Sequence, residues 1–538
     1  MNKKYLIVLA VVIVIGIIGA TMFFGGSSVD RNPNELVTAV GAHGGEPETG
    51  FDPIQGWASE TEPLVQSTLL KRTHNMSLKN DLAESYSVDD DLKKYTVNIK
   101  NGVKFHDNTT LTANDVAFTY NKAKESGAAA DLSSMVNATA INDTTVEFTL
   151  NDSDSTFINK LCSIGIVPED SYENGTYGEN PVGSGPYKFV QWDKGQQVIL
   201  EINNDYYGDK PEFKKLTILF LENDAAFAAA KNGEVDIAEV PLSYANENVT
   251  NMSSVILDSV DARGISLPFL NDTGNTTEDG IPIGNNVTAD ENIRKALNYG
   301  IDRQTLIDGA LNGHGSKSFD GIGPVLPWSN NDSAIEDGDS EKAKQFLKEG
   351  GWEDSDNDGI VEKNGTKASF KILYDSEDTT RQAIAISVSE QAKELGIEVI
   401  PEGKSWDEID NGKLSNGVVW GYGSLDPSSL YHQYYGGLAG QDYDNPSCYN
   451  NSAVNQHMAQ AFKTDINASY ADWSQVSWDG STGISPKGDA PWLWTSFVDY
   501  PYFVDNTLDI SENTTTVQPH GGDIFGNIYD WKRVNQTG

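Results

Sequence analysis

Three regularly spaced aspartates are the first candidates for metal chemistry. Asp354, Asp356 and Asp358 alternate in the segment DSDNDG, which ends in the turn residue Gly359. Calcium loops of the EF-hand type place acidic oxygens at this spacing and add a bidentate glutamate at the twelfth position. Because Gly365 occupies that position here, the pattern predicts at most a weak and incomplete calcium site.

The histidines and cysteines lack the spacings that enzymes and transition-metal sites use. No two of the seven histidines are spaced as a helical pair of ligands, and Cys162 and Cys448 lie far apart in the chain. The motifs GxSxG, HExxH and the P-loop do not occur in the sequence. We therefore expect a protein that is not an enzyme and has no cofactor. The apolar segment around Cys162 predicts a buried thiol. The sequence does not decide whether Cys162 forms a disulfide bridge with Cys448.

Charge and length limit the partners and the architecture. The chain of 538 residues has a formal net charge of -41. Binding to nucleic acid needs clustered lysines and arginines that neutralise phosphates, so the charge argues against that partner. A single hydrophobic core stops growing at roughly 250–300 residues, which predicts at least two lobes. We expect a monomer that its charge keeps dispersed.

An apolar segment near the N-terminus predicts a membrane anchor. Residues 5–24 are uncharged and mostly apolar, which matches the roughly 20 residues that cross about 30 Å of hydrocarbon as a helix. Lys3 and Lys4 precede this segment, so the positive-inside rule places the rest of the chain outside the cell. A cleaved secretory signal is the alternative, but its apolar region normally spans only about 7–15 residues. Residues 25–34 then form a flexible linker.

Potential glycosylation sites are unusually frequent. Asn-x-Ser/Thr sequences in which x is not proline predict a surface protein that carries sugars. A chain rich in Asn, Ser and Thr also forms such sequences by chance, so each individual site stays open. The seventeen asparagines are Asn75, Asn108, Asn137, Asn142, Asn151, Asn174, Asn248, Asn251, Asn271, Asn275, Asn286, Asn331, Asn364, Asn450, Asn467, Asn513 and Asn535.

Alternating strand and helix patterns predict an α/β fold. Residues 214–240 read as strand, helix and strand, and residues 369–403 repeat this order. Such units are typical of parallel sheets, and two of them indicate two α/β lobes that share a hinge. The apolar segment 492–504 is expected to pass back through the hinge into the first lobe.

Two local signals refine the first lobe. Residues 95–105 alternate like a hairpin, with Asn101-Gly102 as its tight turn. Thr112 or Asn114 can cap a helix that begins at residue 115.

Five segments, taken in order, resemble one known family. They are GFDPIQ (50–55), LAESYSVDDDLKKYTVNIKNGVKFHDNTTLTANDVAFTY (82–120), GSGPYKFVQWDKGQQVILEINNDYYGDKPEFKKLTI (183–218), ADENIRKALNYGIDRQTLI (289–307) and GWEDSDNDGIVEKNGTKASFKILY (351–374). The chain is similar to extracytoplasmic solute-binding protein family 5, the peptide and nickel binders of ABC importers. In that family the text around Asp354 forms a hairpin turn.

The resemblance implies a two-lobed, periplasmic-binding-protein-like type II fold of the α/β class. The first lobe would carry an extra subdomain at about 58–177, and the lobes would close on a ligand that is then delivered to the ABC permease. The resulting domain prediction is an anchor or signal at 1–24, a linker at 25–34, lobe I at 35–267, lobe II at 268–491 and a return segment at 492–538.

The resemblance also implies where a peptide would bind. In dipeptide binders of the family, a Trp-x-x-Asp pattern in the second lobe supplies a carboxylate for the ammonium group of the peptide. Trp420 matches the tryptophan, but Gly423 stands at the position of the acid. Asp426, Asp442 or an acid of GGEPE, for which we take Glu46, could replace that carboxylate.

Nickel-chelate binding is the alternative within the family. Those members use aromatic packing, arginines against the carboxylates of the chelator and in some cases one histidine on the metal. The aromatic role would fall to residues such as Tyr422, Tyr431 and Trp406, and the metal role to His432. The carboxylates of the chelator would be bound by Arg381 or by lysines. Trp and Tyr clusters suit either ligand. A structural envelope glycoprotein is the less favoured alternative from another class.

Overall fold

The computed structural model describes residues 32–40, 45–59, 61–128, 130–173, 175–441 and 443–534. The predicted anchor at 5–24 and most of the predicted linker lie outside these residues. Within the described ranges, no helix combines the length and the apolar character that crossing a membrane requires.

A seven-stranded mixed sheet forms the first lobe. Glu35–Ala39 pairs in parallel with both Lys215–Leu219 and Ile237–Glu239, and the helix Asn223–Lys231 connects these two neighbours. This arrangement confirms the strand-helix-strand unit predicted at 214–240. From edge to edge, the strands are Met252–Leu257, Tyr500–Asp505, Ile237–Glu239, Glu35–Ala39, Lys215–Leu219, Gln197–Ile202 and Tyr187–Asp193.

The second lobe is built on a six-stranded mixed sheet. Ser369–Asp375 runs parallel to Glu398–Lys404, and the helix Thr379–Glu394 connects them, which confirms the second predicted unit. From edge to edge, the strands are Gly315–Lys317, Trp492–Val498, Ala262–Ser266, Gly417–Tyr422, Ser369–Asp375 and Glu398–Lys404. The other helices of this lobe are Glu291–Gly300, Arg303–Ala310, Ser340–Glu349, Trp406–Asp410, Ser429–Tyr434, Ser452–Ala461 and Ile466–Ser477.

A four-stranded antiparallel sheet forms a subdomain of the first lobe. Its strands are Ala83–Val88, Lys94–Ile99, Thr145–Leu150 and Met135–Asn142, and its helices are Ala113–Ser126 and Phe157–Lys160. Thr112 caps the longer helix in a capping box with Asp115, as predicted for Thr112. The helix ends at Gly127, whose φ of 68° suits a residue without Cβ.

The hairpin predicted at 95–105 is wrong. Lys94–Ile99 already pairs with Ala83–Val88 on one side and Thr145–Leu150 on the other. No edge is left for residues 103–105, which follow the turn at Gly102. The turn signal was therefore correct, but the pairing partner came from distant parts of the chain.

Two short crossings connect the lobes. The chain passes from Met252–Leu257 in the first sheet to Ala262–Ser266 in the second, and returns from Trp492–Val498 to Tyr500–Asp505. The domain limits at 267 and 491 stay a prediction, but sheet pairing favours crossings at 258–261 and at residue 499. Short connections of this kind are suited to act as a hinge.

Two glycines bring distant segments of the first lobe into contact. A Cβ on Gly183 would lie 2.0 Å from the carbonyl oxygen of Val65, and one on Gly185 would lie 2.6 Å from that of Gln66. The amide of Gly185 donates to the Val65 carbonyl at 2.8 Å. The motif GSGPYKF thus fixes the segment that leads to the strand Leu70–Arg72.

Three two-stranded sheets complete the described strands. Leu70–Arg72 pairs with Leu78–Asn80 in the first lobe and carries Lys71 and Arg72. The other two pairs are Glu362–Lys363 with Thr366–Lys367, and Leu508–Asp509 with Lys532–Arg533.

Candidate functional site

A cavity of about 330 Å³ lies between the lobes. Its wall combines segments within 59–72 and 516–526 of the first lobe, 130–163 of the subdomain and 422–433 of the second lobe. Its volume is at the lower end of the range of roughly 300–1,000 Å³ that is typical of ligand pockets. The cavity is therefore the leading candidate site, and both lobes contribute to it.

Asp426 contacts the opposite lobe directly. Lys160 Nζ lies 2.8 Å from Asp426 Oδ2, and Asn159 Nδ2 donates to Asp426 Oδ1 at 3.2 Å. The amide of Ser428 donates to the same Oδ1 at 2.9 Å. Burial opposes ionisation of Asp426, but Lys160 and Ser428 outweigh it and hold the pKa of this carboxyl below its usual value. Asp426 and Lys160 therefore form a charged pair across the cleft.

His432 makes a second contact across the cleft. Its Nδ1 lies 3.2 Å from Asp444 in the same lobe, and its Nε2 lies 3.3 Å from Asp131 of the subdomain. Burial disfavours the charged imidazole, but the two carboxylates outweigh burial and raise the pKa of His432 to about 9. At neutral pH a positive His432 thus bridges two negative groups, one from each side.

A third contact lies beside these charges. The backbone amide of Ser155 donates to the carbonyl of Phe462 at 2.9 Å, and the Ser155 hydroxyl donates to that of Ala461 at 3.0 Å. Together with Lys160 and His432, these bonds hold the subdomain against the second lobe. The structure is therefore a closed arrangement.

The first lobe contributes further charged groups to the cavity. Lys71 is paired with Glu62 and also contacts the Tyr529 hydroxyl at 2.9 Å. Arg72 donates to Asn159 Oδ1 at 2.8 Å. Asp523 accepts a hydrogen bond from the amide of Phe525 at 2.9 Å at the start of a short 3₁₀ helix.

The carboxyl of Asp523 is strongly affected by its surroundings. Burial raises its pKa to about 7, and the negative charges of Glu62 and Glu239 act in the same direction. Hydrogen bonds from Phe525 and Thr61 only partly offset these effects. Such a carboxyl would gain from a positive group placed beside it.

The predicted aromatic residues fall into two groups. Tyr422 lines the cavity, and its hydroxyl donates to the Tyr443 carbonyl at 3.2 Å. Trp420 is buried in the second lobe, where its Nε1 donates to Ser266 Oγ at 2.9 Å. Trp406 stacks on Trp420, and Tyr431 stacks on Tyr435, which directly follows its helix. Neither Trp406 nor Tyr431 belongs to the cavity wall.

Two predicted ligand contacts lie outside the cavity wall. Glu46 accepts hydrogen bonds at 2.7 Å from Trp192 Nε1 and from the Gly195 amide, both within the first lobe. Arg381 pairs with Asp378 at 2.7 Å. Its guanidinium also lies 5.4 Å from the ring centre of Trp406. Both side chains have structural partners in this arrangement.

The loop with calcium-like spacing already contains a cation. Lys367 binds Asp358 and lies 3.1 Å from Asp356, while Asp354 accepts from the amide of Gly359 at 3.0 Å. The following strands Glu362–Lys363 and Thr366–Lys367 form a hairpin, in line with the resemblance. Oxygens of Asp354, Asp356 and Glu362 do approach one another, but a lysine neutralises part of the cluster.

The two cysteines are not bridged. Both thiols are free: Cys448 is buried, and Cys162 is half-buried at the cavity wall. Burial raises the pKa of Cys162 to about 12, so its thiol is unreactive at neutral pH.

Sequence reasoning missed six charged residues of the cavity wall, namely Glu62, Lys71, Arg72, Asp131, Lys160 and Asp523. Lys160 lies in an apolar segment that predicts a buried core element, and Arg72 and Asp523 belong to no motif. Arg72 and Asp523 come from opposite ends of the chain, so no local pattern could have brought them together. The sequence offers one weak signal for such residues, namely a charged side chain with no oppositely charged residue close to it in the chain.

A family model matches most of the chain. The match is to the bacterial extracellular solute-binding proteins, family 5 (middle), and spans residues 77–442. Protein XP55 of Streptomyces lividans is 31% identical over 427 residues, which cover 76% of this chain and 75% of XP55. The oligopeptide-binding protein AppA of Bacillus subtilis is 29% identical over 443 residues, covering 76% and 78% of the two chains.

Solved structures agree with this assignment. The structure of Bacillus subtilis AppA in complex with a nonapeptide has a TM-score of 0.70 and 25% identity, covering 93% of this chain and 99% of AppA. NikZ of Campylobacter jejuni in complex with Ni(L-His) has a TM-score of 0.76 and 24% identity, covering 94% and 100%. NikZ, at this identity, supports the fold alone. The chain belongs to family 5 of the bacterial extracellular solute-binding proteins, so it is a two-lobed binding protein of an ABC importer and not an enzyme.

Proposed function

We propose that the protein captures short peptides outside the membrane and delivers them to an ABC permease. The observation that carries the proposal is the cavity between the lobes, whose wall combines charged side chains from both sides. The similarity to an oligopeptide-binding protein supports the same ligand class. In this account Tyr422 packs against the ligand.

Closure couples binding to delivery. Lys160–Asp426 and His432–Asp131 connect the subdomain to the second lobe, so they can form only when the cleft is shut. A ligand that contacts both walls would stabilise this closed state, and the permease would recognise it. We therefore assign Asp426 and His432 to closure. The ammonium site predicted at Asp426 is not favoured, because Lys160 already satisfies that carboxylate.

The nickel-chelate alternative receives less support. Among the described residues, His432 is the one histidine in the cavity wall, and both of its ring nitrogens face carboxylates. A protonated imidazole cannot coordinate a metal. His432 would therefore have to lose a proton and both contacts before it could bind nickel.

We also propose a sugar-coated body that is anchored at the cell surface. Asn174 and Asn535 lie outside the described residues, and the other fifteen candidate asparagines are all exposed. The asparagines that are buried, such as Asn298 and Asn527, belong to none of these sequences. The apolar segment at 5–24 would provide the anchor.

Native mass spectrometry tests the ligand class. Protein purified without refolding is expected to carry a series of peptide masses, which disappear after partial unfolding and refolding. The refolded protein should regain a mass shift when short peptides are added. A stoichiometric metal that a chelator removes, with no peptide series, would favour the nickel alternative and contradict the proposal.

A further inference from the structure

A methionine at the tip of a first-lobe hairpin is buried among residues of the second lobe. The hairpin consists of the strands Leu70–Arg72 and Leu78–Asn80 and the turn between them. Met76 lies in this turn and is only 5% exposed, although the residues on either side of it are exposed. It packs in a hydrophobic cluster whose other buried members, among the residues that the structure describes, all lie within 260–497. The turn therefore carries one apolar side chain across the cleft.

The stem of the same hairpin belongs to the subdomain. Leu70 is fully buried in the hydrophobic cluster of the subdomain, and Leu78 packs against that cluster. The lobes are joined at 258–261 and at residue 499, so a rotation about this hinge moves the stem with the first lobe and the cluster around Met76 with the second. Opening of the cleft would therefore withdraw Met76 from the second lobe.

The hairpin approaches the second lobe beside the helix Ile466–Ser477. Burial raises the pKa of Tyr470 on this helix, and the positive charge of Arg72 in the hairpin opposes that shift, so the two side chains are near each other. The ring centre of Tyr470 lies 5.6 Å from that of Trp328, a buried member of the cluster that contains Met76. The contact surface is thus rich in aromatic rings, against which a flexible thioether side chain packs well.

The turn holds Met76 in a fixed orientation. The Thr73 amide donates to the Ser77 carbonyl at 2.9 Å, and the Met76 amide donates to the Thr73 carbonyl at 2.9 Å. The hydroxyl of Ser77 donates to Asn75 Oδ1 at 2.8 Å. Met76 has a φ of 67°, in the left-handed region that is costly for a residue with a Cβ. Such a conformation persists where the surrounding contacts hold it.

We propose that this hairpin is a latch for the closed state, with Met76 as the group that the second lobe receives on closure. Met76 does not belong to the cavity wall, so the latch acts apart from the ligand. Its contact is apolar, so it is not screened by salt as the pair between Lys160 and Asp426 is. Burial of Met76 favours the closed state and thereby raises the affinity for any ligand whose binding requires closure.

Oxidation of methionines by peroxide tests the latch on the unaltered protein. Peptide mapping by mass spectrometry would compare Met76 with Met135 and Met458, which are fully buried within the subdomain and within the second lobe. In the ligand-free protein Met76 should be oxidised at least about tenfold faster than these two, because its rate follows the population of the open state. Saturating tri- and tetrapeptides should slow the oxidation of Met76 and leave the two controls unchanged.

The ligand-free rates decide the inference independently of the ligand. If Met76 reacts as slowly as Met135 and Met458 in the ligand-free protein, it is a permanent part of the core and the latch is overturned. A fast Met76 that peptides do not protect, although calorimetry shows that they bind, would also overturn it. If calorimetry detects no binding of peptides, the proposed function fails, and the ligand-free rates alone decide the latch.

Three variants separate a latch from ordinary core packing. Met76→Gly suits the left-handed turn and removes the side chain, so it should weaken peptide binding about 10- to 100-fold while leaving thermal unfolding of the ligand-free protein nearly unchanged. Met76→Leu, which has a similar volume, should bind almost as the wild type does. Met252→Ala is the matched control, because Met252 is buried within the first lobe and its truncation should lower the unfolding temperature without weakening binding. A lower unfolding temperature with unchanged affinity in Met76→Gly would overturn the latch.

Discussion

The ion pair between Lys160 and Asp426 should control how tightly the cleft closes. The two side chains are only 13% and 14% exposed, and their charged atoms are 2.8 Å apart. Replacing Lys160 by Met, or Asp426 by Asn, leaves the other member of the pair enclosed without its partner. The double variant removes both charges and so separates the pair interaction from the individual substitutions.

The magnitude follows from burial and distance. Removing one partner of a buried, hydrogen-bonded charge pair typically costs about 2–5 kcal/mol. Opening the cleft rehydrates the remaining charge, so we expect each single variant to destabilise the closed state by about 2–4 kcal/mol relative to the open state. If peptide binding requires closure, the affinity falls by roughly 30- to 1,000-fold. The double variant should lose less than the sum of the two.

Calorimetry and small-angle scattering provide the readout. Each single variant should bind peptide more weakly, and its ligand-free form should have a larger radius of gyration than the wild type. Lys122→Gln, which removes an exposed lysine of the same subdomain, should change neither quantity. If Lys160→Met instead strengthens peptide binding, Asp426 is an ammonium site with which Lys160 competes, and the reasoning is refuted.

Two further predictions concern groups that titrate. Above pH 9, His432 loses its proton and the contact with Asp131, so the radius of gyration should grow between pH 8 and pH 10. The variant His432→Gln should not show this growth. An unchanged growth in the variant would contradict the role of His432 in closure. At the hinge, burial and the charge of Asp258 raise the pKa of Asp499 to about 6, above its unfolded value, so its ionisation destabilises the fold as pH rises through 4 to 6. Asp499→Asn should therefore stabilise the protein at pH 7 by at most about 3 kcal/mol, and much less at pH 4. Thermal unfolding at the two pH values measures the difference. Equal stabilisation at both would show that the charge of Asp499 is not the cause.

The lobes could be predicted because their signals are local. A strand-helix-strand order appears in the sequence at 214–240 and 369–403, and both became parallel units. Thr112 caps its helix through groups only two or three residues away. In contrast, the predicted hairpin at 95–105 failed because the competing partners of Lys94–Ile99 lie in other segments, and only tertiary packing selects among them.

The site was harder to predict because it is assembled from distant segments. The resemblance drew attention to the second lobe, and three of the residues it suggested, Tyr422, Asp426 and His432, lie in the cavity wall. The resemblance could not indicate that Lys160 forms an ion pair with Asp426, because that contact depends on how the subdomain packs against the second lobe. It also could not indicate that Trp420 is buried in the core, which depends on the packing of the sheet.

A crystal structure of the protein with its co-purified ligand tests the central claim most directly. We expect a peptide enclosed between the lobes and packed against Tyr422. An empty cavity, with the ligand bound on another surface, would contradict it.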